Sequence, residues 1–206
     1  MNTQARIYVV DDDHAVRESL SLLLEQEDFH VETFDNAETF LSNCQPGPHC
    51  CAIVDIRMPF MDGMQLQAEL ARRGILLPVI FLTGHGDIPL SVRAIKHGAV
   101  DFLTKPVSGA TLLESVRMAL DESDRLNSVA AASQSAAERI ASLTEREHEV
   151  MALAVEGLSN KETARRLGIS HRTVEIHRAR IMHKTGADTL IDLVRIAHAA
   201  APGVTG

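Results

Sequence analysis

Four short strand-like runs each end in a polar group suited to phosphoryl chemistry. Ile7-Tyr8-Val9-Val10 leads into Asp11-Asp12-Asp13, and Cys51-Ala52-Ile53-Val54 ends in a lone Asp55. Val79-Ile80-Phe81-Leu82 ends in Thr83-Gly84, and Val100-Asp101-Phe102-Leu103-Thr104 ends in Lys105-Pro106. Crowded carboxylates repel one another unless a cation is present. Mg²⁺ relieves that repulsion, binding a few carboxylates together with water and phosphate oxygens. The set suits a metal-assisted phosphoryl group. Asp55 reads as the nucleophile, Asp11 and Asp12 as Mg²⁺ ligands, and Thr83 and Lys105 as contacts to phosphoryl oxygens.

Residues this far apart in sequence need a scaffold that gathers them. The apolar runs read as strands, with Val31-Glu32-Thr33-Phe34 as a further one. Between them Val16, Leu20, Leu23 and Leu24 recur on one helical face. Helices are also expected from Ala37 to Leu41, around Leu66 and Leu70, from Ile88 to His97 before Gly98, and from Leu112 to Leu120. Five βα units predict a doubly wound, five-stranded parallel sheet, whose strand carboxyl ends share the edge where ligands bind. Strand-end carboxylates are common in βα loops, but that alone leaves a lysine before a proline at the fifth strand unexplained. His85, Asp87 and His97 lack any catalytic spacing and read as solvated.

The motifs Val9-Val10-Asp11-Asp12-Asp13, Val54-Asp55-Ile56-Arg57-Met58-Pro59 with Asp62-Gly63, Thr83-Gly84-His85-Gly86 and Lys105-Pro106 resemble the receiver domain of bacterial two-component response regulators. Their joint order and spacing are far more specific than any one of them. The resemblance implies a flavodoxin-like fold over residues 1–120 and phosphorylation of Asp55 by a cognate sensor histidine kinase. It also implies Mg²⁺ held by Asp12, Asp55 and the backbone carbonyl of Arg57, with Asp11 acting mainly through a metal-bound water. A cis peptide before Pro106 belongs to the pattern, although most X–Pro bonds are trans. Phe102 either packs in the core or turns inward as Thr83 moves, linking the site to a dimer surface. Val107 departs from the pattern, since many relatives place phenylalanine after Lys-Pro.

The 206 residues suit one large or two small domains. An apolar content of 45% and a charged content of 23% are ordinary for a globular chain and argue against disorder. No apolar run approaches membrane-spanning length, and Met1-Asn2-Thr3-Gln4 is unlike a signal peptide, so a cytoplasmic protein is expected. Cys44, Cys50 and Cys51 lack zinc-site spacing and are expected as reduced thiols.

The net charge of −8 conceals an asymmetry. Residues 1–120 carry nine basic and sixteen acidic side chains, whereas residues 159–184 carry seven and two. An acidic protein with one basic block fits nucleic-acid contact through that block. Residues 121–141, rich in serine and alanine, are expected as a helical or flexible linker. Beyond them Thr144 and Glu147 form a capping box opening a helix. Ser159 or Asn160 then caps a short helix through Leu167, Gly168-Ile169-Ser170 makes a turn, and a longer helix runs from His171 to Lys184. This is a helix-turn-helix pattern. Val174 and Ile181 face its core, leaving Arg172, Glu175, Ile176, Ala179 and Arg180 toward solvent or DNA. Lys161 and the amides after Asn160 suit phosphates.

Leu143-Thr144-Glu145-Arg146-Glu147, Gly157-Leu158-Ser159-Asn160-Lys161-Glu162-Thr163-Ala164, Leu167-Gly168-Ile169-Ser170 and Thr173-Val174-Glu175-Ile176-His177 resemble LuxR/FixJ-type output domains, here over residues 142–206. The whole chain resembles the FixJ subfamily of response regulators. That implies a homodimer on phosphorylation that binds double-stranded promoter DNA, with RNA polymerase a further candidate partner. It also implies that Glu175, Ile176 and Ala179 face base edges, with Lys161, Arg172, Thr173, Arg178 and Lys184 nearer phosphates. Two other functions compete. A Mg²⁺-dependent aspartyl-phosphate hydrolase is disfavoured because Asp55-Ile56-Arg57 lacks a second carboxylate. An RNA-binding output is disfavoured because residues 142–206 contain no Phe, Tyr or Trp for base stacking.

Overall fold

The computed structural model describes residues 4–84 and 88–200, the side chains of Ile88 and Leu90 excepted. Five parallel strands, β1 (Arg6–Val10), β2 (His30–Phe34), β3 (Cys50–Asp55), β4 (Val79–Thr83) and β5 (Asp101–Thr104), form one sheet in the order β2-β1-β3-β4-β5. Every residue of β3 and β4 is buried. Such unbroken apolar runs, without alternation, are what a parallel sheet covered on both faces requires. Alternation instead sorts side chains between two cores: Tyr8, Val54 and Phe81 on one face, Ile7, Ile53 and Leu82 on the other.

The covering helices are α1 (His14–Glu25), α2 (Ala37–Asn43), α3 (Gly63–Arg72), α4 (Ile88–Lys96) and α5 (Gly109–Ala141). Asp13 caps α1 by accepting the Ala15 N–H, so the third aspartate of the triplet has a structural role. Asp62 caps α3 in a capping box with Gln65. The serine- and alanine-rich stretch 121–141 lies within α5, which runs for 33 residues. The chain divides into two compact units, 1–127 and 128–206.

In the second unit lie α6 (Glu145–Val155), α7 (Asn160–Leu167), α8 (His171–Thr185) and α9 (Leu190–Ala200). Thr144 with Glu147 and Ser159 with Glu162 close two capping boxes, and Ser170 caps α8. Ser159, not Asn160, is therefore the cap of α7. Gly168 and Gly186 end α7 and α8 at φ 66° and 70°, a left-handed conformation that glycine adopts without a Cβ clash. Leu143, Val150, Ala164, Val174, Ile181 and Leu193 form the core of this unit.

All three cysteines are free thiols. Cys50 Sγ lies 2.8 Å from the Gly47 carbonyl, and His49 pairs with Asp124 at 2.9 Å. No helix among the described residues is long and apolar enough to cross a membrane.

Candidate functional site

β3 lies between β1 and β4, so the residues ending these strands meet at one edge of the sheet. The β1/β3 junction is where strand order reverses, which opens a crevice at the carboxyl ends. Asp11 and Asp55 are both buried there, and Lys105 Nζ lies 2.6 Å from Asp11 Oδ2 and 2.6 Å from Asp55 Oδ1. The other oxygens are also held: Asp11 Oδ1 accepts the Asp13 N–H at 3.0 Å, and Asp55 Oδ2 accepts the Arg57 N–H at 2.6 Å. Arg17 donates to the Asp11 carbonyl at 2.7 Å. The peptide bond before Pro106 is cis.

Burial raises the Asp11 carboxyl above the ordinary aspartate range, against the hydrogen bonds from Lys105 and the Asp13 amide. Burial also disfavours the Lys105 ammonium, but its bonds to Asp11 and Asp55 outweigh that and leave its pKa raised. Lysine therefore stays charged. One ammonium shared by two carboxylates leaves negative charge uncompensated, and a divalent cation would relieve it.

Asp12 is exposed, and the Arg57 side chain points to solvent. Among the described residues no three His, Cys, Asp or Glu side chains converge on one metal-binding point. Lys105 occupies one oxygen of each buried carboxylate. The donor set still fits Mg²⁺, because the aspartates and the main-chain carbonyls at this edge offer hard oxygen and outweigh the single Lys105 charge.

Thr83 ends β4, buried, opposite Thr104 of β5. Phe81 pairs with Phe102 two residues earlier, so Thr83 and Phe102 share a face of the sheet. Phe102 is partly buried against the core that contains Tyr8 and Phe81. His85, Gly86 and Asp87 lie outside the described residues. His97 Nδ1 lies 2.7 Å from the Arg93 carbonyl near the end of α4.

Sequence reasoning missed Gly63. A Cβ there would sit 2.5 Å from the Asp55 carbonyl oxygen, so only glycine lets α3 start this close to the site. The Asp62-Gly63 pair carried the signal, but as a motif rather than as a steric demand.

On α8, Val174 and Ile181 are fully buried. Arg172, Ile176, Ala179 and Arg180 are exposed and Glu175 is partly so. Glu175 pairs with Arg172 at 3.2 Å and with His171 at 3.6 Å. Lys161 on α7 is exposed, as are Arg165 and Arg166, which the sequence reading did not single out. Asn160 is half-buried, and Thr173 bonds to Ser170 at the cap of α8. Arg178, partly buried, and Lys184, exposed, both bond to groups of their own domain. Arg178 donates to the Leu158 carbonyl at 3.1 Å, and Lys184 Nζ lies 2.6 Å from Glu147 Oε2.

Comparisons with known proteins agree with this architecture. Residues 7–117 match the model of the response regulator receiver domain, and residues 141–197 match that of bacterial regulatory proteins, luxR family. The chain is 42% identical over 197 residues to the transcriptional regulatory protein FixJ of Bradyrhizobium diazoefficiens, covering 96% of each. It is 43% identical over 190 residues to the response regulator protein TodT of Pseudomonas putida, covering 92% of this chain and 84% of that one. Among solved structures, the response regulator StyR is 40% identical with a TM-score of 0.80, covering 95% of this chain and 99% of that one. Full-length FixJ from B. japonicum is 42% identical with a TM-score of 0.58, covering 97% and 98%. A sheet edge carrying aspartates and a lysine, joined in one chain to a capped helix-turn-helix, is thus matched over nearly its whole length. The chain belongs to the FixJ-type response regulators, which join a receiver domain to a LuxR-type DNA-binding output domain.

Proposed function

We propose that the chain is a transcription factor switched by phosphorylation of Asp55 by a sensor histidine kinase. The phosphorylated form dimerises and binds double-stranded promoter DNA through α8, with RNA polymerase a further partner at the promoter. The observation that carries this reading is Lys105 Nζ at 2.6 Å from both Asp11 and Asp55. It holds a charged ammonium where phosphoryl oxygens would arrive beside the nucleophile.

In the transfer step an Asp55 carboxylate oxygen forms a bond to phosphorus while the P–N bond of the donor phosphohistidine breaks. The imidazole leaves with the electron pair of that bond and takes up a proton. Lys105 exchanges a carboxylate oxygen for a phosphoryl oxygen, and the Thr83 hydroxyl contacts another. Mg²⁺, when held by Asp11, Asp12, Asp55 and the Arg57 carbonyl, supplies neutralisation of the charge that gathers there. Movement of Thr83 toward the phosphoryl group draws Phe102 with it and alters the α4–β5 surface.

In the output domain Glu175, Ile176 and Ala179 are assigned to base edges. Asn160, Lys161, Arg172, Thr173 and Arg180 are assigned to the DNA backbone or its edge. The test is footprinting on fragments of the source genome, with and without acetyl phosphate. Protection that appears only with the phosphodonor supports the reading, and protection indifferent to it counts against the switch.

A further inference from the structure

Seven cations lie within residues 159–184, and a basic helix-turn-helix would ordinarily assign them all to phosphates. Two behave differently. Lys184 Nζ, at 34% side-chain exposure, bonds to Glu147 Oε2 at 2.6 Å and to the Ser142 carbonyl at 3.3 Å. Glu147 is itself buried, and the same Oε2 accepts the Thr144 N–H in the capping box of α6. Arg178 Nη2 reaches the Leu158 carbonyl beyond the other end of α6, and Arg178 Nε is enclosed by protein.

α8 is therefore tied at two places, to the first turn of α6 through Glu147 and to the α6–α7 connection through Leu158. Val174 and Ile181 supply adhesion between these helices, but apolar contact is non-directional and tolerates sliding and rotation. A charged bond to a buried carboxylate and a guanidinium bond to a main-chain carbonyl fix distance and angle. We propose that Arg178 and Lys184 are positioning residues for base readout: they set the rotation and register of α8 on α6, and neither contacts DNA phosphate. Their consequence appears at Glu175, Ile176 and Ala179, which lie on the exposed side of the same helix. The inference rests on the reading that α8 enters the major groove.

The test uses the full chain treated with acetyl phosphate. A duplex is first selected by the wild-type protein from a randomised pool, and a scrambled duplex of the same composition serves as reference. Failure of the wild-type protein to prefer any selected duplex would overturn the DNA-readout reading itself, before the clamp is in question. With preference established, Lys184→Met and Arg178→Met should each lose about tenfold of the selected-to-scrambled ratio, comparable to one good base contact. Their salt dependence should match wild type. Lys161→Ala is the contrast, weakening both duplexes alike and lowering the salt slope by about one. A slope lowered by about one in Lys184→Met, or no change in preference in either Met variant, would overturn the clamp.

Lys184→Arg, which keeps a cation near Glu147, should restore the preference. If Lys184→Met fails to fold, Glu147→Gln decides, because it keeps the lysine and weakens its anchor. A lysine poised for phosphate would then bind both duplexes more tightly, contradicting the proposal. A clamp lysine would lose preference without a gain on scrambled DNA.

Discussion

The Lys105 backbone N–H donates to the Thr83 carbonyl across 2.7 Å, so the lysine and threonine at the carboxyl edge of the sheet share one main-chain register. Thr83 and Thr104 are partners across β4 and β5, and Lys105 follows directly. A shift of the strand end carrying Thr83 is therefore also felt by the backbone that carries Lys105, and, through β5, by Phe102. The proposed coupling between the site and the α4–β5 surface would run through this register.

That surface has apolar content to offer. Val92 and Ile95 on α4 are each 48% exposed. Phosphodonor should raise the dimer fraction of the wild-type chain in sedimentation velocity. Val92→Glu or Ile95→Glu should suppress that rise by placing like charges on a self-complementary face. An unchanged phospho-dimer in both variants would move the dimer interface elsewhere.

Gly63→Ala should destabilise the receiver by about 1–3 kcal/mol, the usual scale for forcing atoms into a packed site. The clash would be with the Asp55 carbonyl, a backbone atom that cannot rotate away. Urea unfolding of the variant reads the loss as a lower midpoint at unchanged slope. An unchanged midpoint would mean that α3 can retreat from Asp55 without cost.

Much of this site was legible before any coordinates. Asp11, Asp55, Thr83 and Lys105 each lie at the end of a strand-like run, and a parallel sheet has one edge for all four. The capping boxes at Thr144 and Ser159 were equally plain, because the residues that make them lie three positions apart. Contacts across long separations were not legible. Nothing in sequence shows one Lys105 ammonium shared between carboxylates 94 and 50 positions away. Arg178 and Lys184 show the same limit: a cation on a helix carries no local sign that it will bond the Leu158 carbonyl or Glu147 of its own domain.

Glu147 supplies a pH prediction. The hydrogen bond from Lys184, aided by the Thr144 amide, holds its carboxyl at about 2, below the ordinary 4.5. A depressed folded-state pKa stabilises the fold above the unfolded value, and that stabilisation is lost as pH falls toward the folded one. The wild-type advantage in thermal stability over Glu147→Gln should thus be full above about pH 4.5 and shrink steadily toward pH 2. Melts of both proteins across this range check it. A difference independent of pH would mean that the carboxylate charge is not what matters.

Glu175 separates base readout from simple attraction. A carboxylate facing DNA is unfavourable unless it accepts a hydrogen bond, most naturally from a cytosine amino group. Its pairing with Arg172 at 3.2 Å must loosen for that to happen. Glu175→Ala should change the selected base at one position and leave scrambled-duplex binding unchanged or stronger. Equal weakening on selected and scrambled DNA would place this face of α8 away from the bases.

The central claim is that Asp55 alone carries the phosphoryl group that licenses DNA binding. Asp55→Asn keeps the size of the side chain and removes the nucleophile. The most direct measurement is acid-labile phosphate incorporated from acetyl phosphate and Mg²⁺, read beside protection of a selected duplex by the same samples. Wild type should show both, and Asp55→Asn neither. Phosphate incorporated in Asp55→Asn, or phosphodonor-dependent protection without it, would contradict the account.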